Sequence, residues 1–145
     1  CRAYFDLYCE QSDSVLLGLM SPAQKKSGKI SRVTFNAAIK PIYGVFGERD
    51  AKEIYTFLNA YLKAMCSGLQ KKGISSITKP IIFKAIMQFF PHVARLTDGE
   101  YTVEKFTETL APLFSGISAT RVTKATSIKI ITDHFVECLN RGFTL

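Results

Sequence analysis

The segment from Pro80 to Leu96 constrains the fold of this chain more than any other feature. Its polar residues recur at i, i+4, i+8 and i+11, which predicts one helix with a single polar line. Pro80 suits the first turn, and Pro91 predicts a bend. The rest of the surface is apolar: Ile81, Ile82, Phe83, Ile86, Met87, Phe89, Phe90 and Val93. Such a helix must be covered by other helices. It contacts solvent or a partner only along its polar line: Lys84, Gln88, His92 and Arg95.

The clearest amphipathic helix extends from about Glu48 to Gln70. Acidic residues lie at its start, and Lys71 and Lys72 lie at its end, as the helix dipole favours. Gly73 is expected to terminate it. Its apolar face keeps helical spacing for five turns: Ala51, Ile54, Tyr55, Leu58, Tyr61, Leu62, Met65 and Leu69.

Weaker patterns complete the chain. Residues 3–20 predict one or two short helices, and residues 21–29 a polar loop. Ser31 is expected to cap a helix that Pro41 kinks and that Gly44 to Gly47 end. A shorter helix over Val103 to Leu113, disturbed by Pro112, precedes a loop at residues 115–126. A last helix begins near Ser127 and stops at Gly142.

Strand-like alternation and internal repeats are absent from the sequence. The prediction is therefore an all-α fold, with residues 1–145 forming a single compact domain of about five to six helices. No apolar run reaches the length of a membrane span, because polar residues interrupt the longest one, and no secretory signal is recognised, so no membrane association is expected. The chain begins with Cys1 rather than Met, inside an apolar helical pattern. We expect it to be the C-terminal fragment of a longer protein.

The four cysteines, Cys1, Cys9, Cys66 and Cys138, form neither a CxxC pair nor a disulfide framework. Free thiols in a reducing compartment are expected, which favours the cytoplasm.

The net charge of +7 is unevenly distributed. Two stretches contain no acidic residue: one between Asp13 and Glu48, and one between Glu53 and Asp98. We call them the acid-free stretches. They contain Lys25, Lys26, Lys29, Arg32 and Lys40, and then Lys63, Lys71, Lys72, Lys79, Lys84 and Arg95. Such fields attract polyanions. The alternative is that scattered lysines only keep the protein soluble.

Catalytic patterns are scarce. His134 and Cys138 are four residues apart on the last helix, a spacing that two metal ligands could use. No spacing supplies the other ligands, and Cys138 falls on an apolar stripe, where cysteine acts as a small hydrophobe. Gly-rich phosphate loops and paired carboxylates are also lacking. We expect no enzyme activity, no metal and no cofactor.

The candidate nucleic-acid contacts are the loop lysines, the first residue of the following helix, and the polar line of the buried helix: Lys25, Lys26, Lys29, Arg32, Lys84, Gln88 and Arg95. Helical positions fix Arg32, Lys84 and Arg95, so contact costs less side-chain freedom there. The alternative for Lys84 and Arg95 is that they only extend their charges from the edge of the core.

Three segments resemble the C-terminal half of proteins with a DGQHR domain, a family that includes the DndB-type proteins of DNA sulfur modification. The segments are Ile30 to Ile39, Ile54 to Ala64, and Ser76 to Ile86. The Asp-Gly-Gln-His-Arg motif itself is absent, and Asp98-Gly99-Glu100-Tyr101 is not a version of it. Pro80-Ile81 also replaces the small residue that the family has near the start of that helix. The resemblance implies a helical region of a DNA-associated bacterial or mobile-element protein, and it transfers no active-site residue.

The leading hypothesis is thus a non-catalytic helical module of a DNA-associated protein, acting in DNA contact, regulation or assembly. The rival is a protein-interaction domain whose basic surface meets an acidic partner or the missing N-terminal domain. Exposure of Tyr4, Phe5 and Tyr8 would favour the rival, since they would have packed on absent sequence. The oligomeric state stays open.

Overall fold

A computed structural model describes Tyr8 and residues 11–21, 28–47 and 49–141. Within them the chain forms two short strands and six helices. The strands are β1 (Met20–Ser21) and β2 (Ile30–Ser31), which pair in parallel, with Met20 opposite Ile30. The helices are α1 (Arg32–Phe46), α2 (Ala51–Lys71), α3 (Pro80–Leu96), α4 (Val103–Gly116), α5 (Ala119–Thr123) and α6 (Ile128–Arg141). The predicted all-α class is confirmed.

Local signals in the sequence set the helix ends. The Ser31 hydroxyl accepts a hydrogen bond from the Thr34 backbone N–H at 3.2 Å, which confirms it as the cap of α1. Past the end of α2, Gly73 adopts a φ of 83°. The N–H groups of Gly73 and Ile74 donate to the carbonyls of Gln70 and Leu69, at 3.0 and 2.9 Å. This pair of bonds is a Schellman motif, and it confirms the predicted stop at Gly73.

Helix α3 lies at the centre of the core. It packs against α1 on one side and α6 on another, while α2 packs against α4 and α6 also packs against α4. The Phe90 ring on α3 lies 5.5 Å from the ring of Phe46 and 4.8 Å from that of Tyr61. The Tyr61 hydroxyl donates to the Ile86 carbonyl at 2.6 Å, so this buried phenol is satisfied. The prediction that α3 is covered on nearly all sides is confirmed.

Two expectations need correction. Residues 11–19 form turns and then β1, not a helix, because Ser14, Gly18 and side-chain hydrogen bonds favour turns there. The predicted loop at 115–126 contains α5, which the Ser118 hydroxyl caps. Helix α1 ends at Phe46, with Gly47 as its C-terminal cap at a φ of 62°, within the predicted stop at Gly44 to Gly47, and Pro41 and Pro112 lie inside α1 and α4. Tertiary packing outweighs the local preference at these positions.

Some expectations lie outside the described residues. These include the conformation of residues 3–7, the stop at Gly142 and the role of Glu48 at the start of α2. In the part of the chain that is described, no helix combines the length and apolarity needed to cross a membrane.

Candidate nucleic-acid interface

The polar line of α3 is the first candidate surface. Gln88 and Arg95 are exposed, whereas Lys84 and His92 are half-buried. The His92 ring stacks on Phe89 at 5.8 Å, and its Nε2 is buried without a hydrogen-bond partner among the described residues. Burial, together with the nearby Arg95 charge, lowers the pKa of His92 below its usual value. The line therefore offers Lys84 and Arg95 as its cations at neutral pH.

The second candidate group lies around the two strands. The Lys29 ammonium group donates to the Gly18 carbonyl, so it closes the β1–β2 connection as well as carrying a charge. Arg32 is half-buried at the first position of α1. Lys25 and Lys26 lie outside the described residues. Of the predicted contacts, the structure brings Lys84, Gln88 and Arg95 onto one side of α3 and places Lys29 at a separate position.

The fold packs the two acid-free stretches against each other. The first stretch supplies α1, and the second supplies α3, which packs along α1. Three ion pairs are described elsewhere: Arg49–Glu53 at 3.1 Å, Lys129–Asp133 at 2.6 Å and Arg141–Glu137 at 2.5 Å. In each pair the cation lies outside the acid-free stretches. The described ion pairs therefore all use cations from outside the two acid-free stretches.

Asn59 on α2 anchors the segment that precedes β1. Its carbonyl oxygen accepts from the Val15 backbone N–H, and its amide donates to the Asp13 carbonyl, both at 2.9 Å. One turn earlier, the Tyr55 hydroxyl donates to the Asp13 carboxylate at 2.6 Å. The Tyr8 ring is fully buried 4.8 Å from that of Tyr55. The N-terminal segment is thus fixed to the first half of α2.

Beyond Asn59 the anchored segment leaves α2, and an open cleft of about 510 Å³ lies between them. One wall is a stripe of α2 at spacing i, i+3, i+4 and i+7: Lys63, Cys66, Ser67 and Gln70. The second wall is the connection to α3, with Ile74, Ser75, Ile77 and Thr78, and the third consists of Val15, Leu19 and Gly28. We call this the α2 cleft. Every one of these lining residues belongs to an acid-free stretch, so none is a carboxylate.

Cys66 contributes an uncharged wall to the α2 cleft. Burial raises the pKa of its thiol to about 12. Because only the thiolate is an effective nucleophile, Cys66 at neutral pH acts as an apolar side chain.

The His134–Cys138 pair is organised by a hydrogen bond to the backbone. The Ser118 N–H donates to His134 Nε2 at 3.0 Å, so the neutral ring carries its proton on Nδ1. That Nδ1 lies 3.7 Å from the Cys138 sulfur and faces it as a donor, not as a base. Burial lowers the pKa of His134 and raises the pKa of Cys138, which keeps both groups neutral. No group of three or more potential metal ligands occurs within the described ranges.

Comparison with family models, with curated proteins and with solved structures gives no match to this chain. The site is therefore judged on its own geometry. The α2 cleft was not predicted from the sequence, because the apolar spacing of α2 indicates only the face that packs in the core. The signal was present as polar residues at positions 63, 67 and 70, one helical face within an acid-free stretch.

Proposed function

We propose that this chain is a non-catalytic helical module of a DNA-associated protein. We further propose that it contacts the phosphate backbone of DNA through cations of its two acid-free stretches. The observation that carries the proposal is the packing of the two acid-free stretches against each other, with the described ion pairs elsewhere. Lysine and arginine side chains of these stretches can replace the counterions of DNA. The resemblance to the C-terminal half of DGQHR-domain proteins supports the association with DNA.

Fluorescence anisotropy with duplexes of unrelated sequence tests the proposal. Binding should weaken steeply as salt rises, because released counterions drive it. The double variant Lys84→Ala/Arg95→Ala should lower affinity by a similar factor for every sequence and flatten the salt slope by about two units. The matched control is Lys124→Ala/Lys129→Ala, which removes two exposed cations outside the acid-free stretches. No binding at low salt would overturn the proposal, and unchanged binding in the folded α3 variant would move the contact away from that line.

A protein-interaction role is the second candidate, and a groove of about 440 Å³ between α1 and α3 favours it. Two prolines inside helices, Pro41 and Pro91, face this groove together with Val45 and Tyr101, and exposed Arg95 completes its lining. These residues suit an apolar peptide that carries a carboxylate. Tyr8, whose exposure would have favoured this role, is buried, and Tyr4 and Phe5 lie outside the described residues. A Pro41→Ala/Val45→Asp variant that binds DNA normally but loses a co-purifying protein would favour the second candidate.

The cellular location that we propose is the cytoplasm, since Cys66 and Cys138 are both free thiols, as a reducing compartment favours. The family assignment is proposed on the resemblance alone. Sequencing the gene upstream of Cys1 tests it: an Asp-Gly-Gln-His-Arg motif encoded there would support the assignment, and a coding sequence without one would contradict it.

A further inference from the structure

We propose that the α2 cleft is a binding site for the phosphate group of a phosphate ester. If the bound phosphate belongs to DNA, this inference rests on the proposed function. If the phosphate belongs to a small molecule, it does not. The source of the ester is either the nucleic-acid backbone or a small phosphorylated molecule, and the experiment below separates them.

Each polar side chain that lines the cleft can donate a hydrogen bond. Lys63 supplies an ammonium group, Ser67, Ser75 and Thr78 supply hydroxyls, and Gln70 supplies an amide. A phosphate ester carries several strong acceptor oxygens, so it uses many donors at once. A carboxylate has only two such oxygens and satisfies fewer of these groups.

The charge around the cleft favours an anion over a cation. The lining residues all come from sequence in which no acid occurs over residues 14–47 and 54–97. Because no lining residue is a carboxylate, none of them competes for the Lys63 ammonium group or repels an incoming phosphate.

The volume and the remaining walls indicate that more than an inorganic ion is accommodated. About 510 Å³ lies within the range of sites for organic ligands, and Val15, Leu19, Ile74 and Ile77 give the cleft aliphatic surface. Because Cys66 stays protonated, it belongs to this apolar part. The organic portion of the ester contacts these side chains, while the phosphate contacts the donors of α2 and of the α2–α3 connection.

The test uses the whole chain and three probes: inorganic pyrophosphate, a deoxythymidine tetranucleotide and a mononucleotide. Binding is followed by amide NMR. The expected result is a saturable shift of the amides of Ser67, Gln70, Ser75 and Thr78. The variant Lys63→Gln/Ser67→Ala should weaken binding about tenfold, which equals 1.4 kcal/mol. Both side chains are exposed, so their replacement should leave the core intact. Unchanged amide signals from core residues then show that the variant is folded.

The matched control is Lys52→Gln/Thr56→Ala. It also removes a lysine and a hydroxyl residue, at the same i, i+4 spacing and at exposed positions of the same helix, but neither residue lines the cleft. This variant should bind like the wild type. Equal losses in the two variants, or shifts spread over exposed lysines without the cleft amides, would overturn the inference.

The probes also separate the two proposals. If the tetranucleotide binds most tightly and duplex DNA binding falls in the cleft variant, the cleft holds a DNA phosphate. If pyrophosphate or the mononucleotide shifts the cleft amides while no DNA binds, the cleft serves a small phosphate ester and the proposed function fails. If DNA binds equally to wild type and cleft variant without shifting the cleft amides, the proposed function stands and this inference fails.

Discussion

The α2 cleft and helix α6 differ in how their charges are arranged. Around the α2 cleft, Lys63 and its polar neighbours have no acid nearby in sequence. On α6, by contrast, Lys129 pairs with Asp133 and Arg141 with Glu137 within one helix, and His134 is held neutral in the core. The net charge of +7 is a sum over the whole chain and does not show this difference. Under the proposed function, the placement of carboxylates determines which lysines contact a polyanion.

The two regions also differ in what holds them together. The segment beside the α2 cleft is anchored by side chain to backbone hydrogen bonds at Asn59. The α4–α6 region is closed by packing of apolar side chains such as Leu110, Leu113 and Phe135. The predictions below separate these two kinds of stabilisation.

The largest effect is expected at Asn59. Asn59→Ala removes both of its hydrogen bonds and leaves the Val15 N–H and the Asp13 carbonyl without these partners in a partly buried place. The free energy of unfolding should fall by about 2–4 kcal/mol, measured by urea denaturation. Gln70→Ala, an exposed amide on the same helix, is the control and should cost less than about 0.5 kcal/mol. A similarly small loss at Asn59 would show that the anchoring has no energetic weight.

A smaller effect is expected where α2 meets α4. A Cβ added at Gly68 would lie 2.1 Å from the Phe114 ring, so the two helices approach closely there. Gly68→Ala should cost about 1–3 kcal/mol, because the ring must move. Gly44→Ala is the control on α1, since nothing lies within 4 Å of its added Cβ. It should raise stability by up to about 1 kcal/mol through the better helix propensity of alanine. Equal effects at the two glycines would contradict the close approach.

The smallest effect concerns pH. Burial lowers the pKa of His134, so the unfolded chain takes up a proton at a higher pH than the folded chain does. Stability should therefore decline as pH falls below about 6.5, the ordinary pKa of histidine. His134→Gln should reduce this decline between pH 7.5 and 5.5. Burial also lowers the pKa of His92, so the variant His92→Gln measures how much this second histidine contributes to the pH dependence of stability. A pH dependence that neither variant changes would show that other groups cause it.

Much of the fold was predictable from sequence because its signals are local. The Ser31 cap, the Gly73 stop and the polar line of α3 each depend on side-chain spacing within one element, and all three are present. Pro41 was expected to kink its helix and Pro112 to disturb another, and both prolines lie within helices. Pro41 and Pro112 stay inside helices because packing against α3 and α2 holds those helices together.

The candidate site was predictable only in part. The acid-free stretches are visible in the sequence, but the α2 cleft depends on residues 15–28 lying beside residues 63–78. That arrangement follows from the Asn59 hydrogen bonds, which span more than 40 positions in the sequence. No periodicity within one helix reports such a contact.

The most direct test of the account compares charge reversal in the two regions. The variant Lys63→Glu/Lys72→Glu places two carboxylates in the second acid-free stretch. The variant Lys124→Glu/Lys129→Glu changes the net charge by the same amount, near α5 and α6. Duplex DNA affinity is measured by anisotropy at one low salt concentration. The account predicts that the first variant loses affinity by about a hundredfold or more, corresponding to roughly 2.7 kcal/mol, while the second stays within about threefold of wild type. Equal losses of affinity in the two variants would contradict the proposed function, because the net charge of the protein, and not the acid-free stretches, would then determine binding.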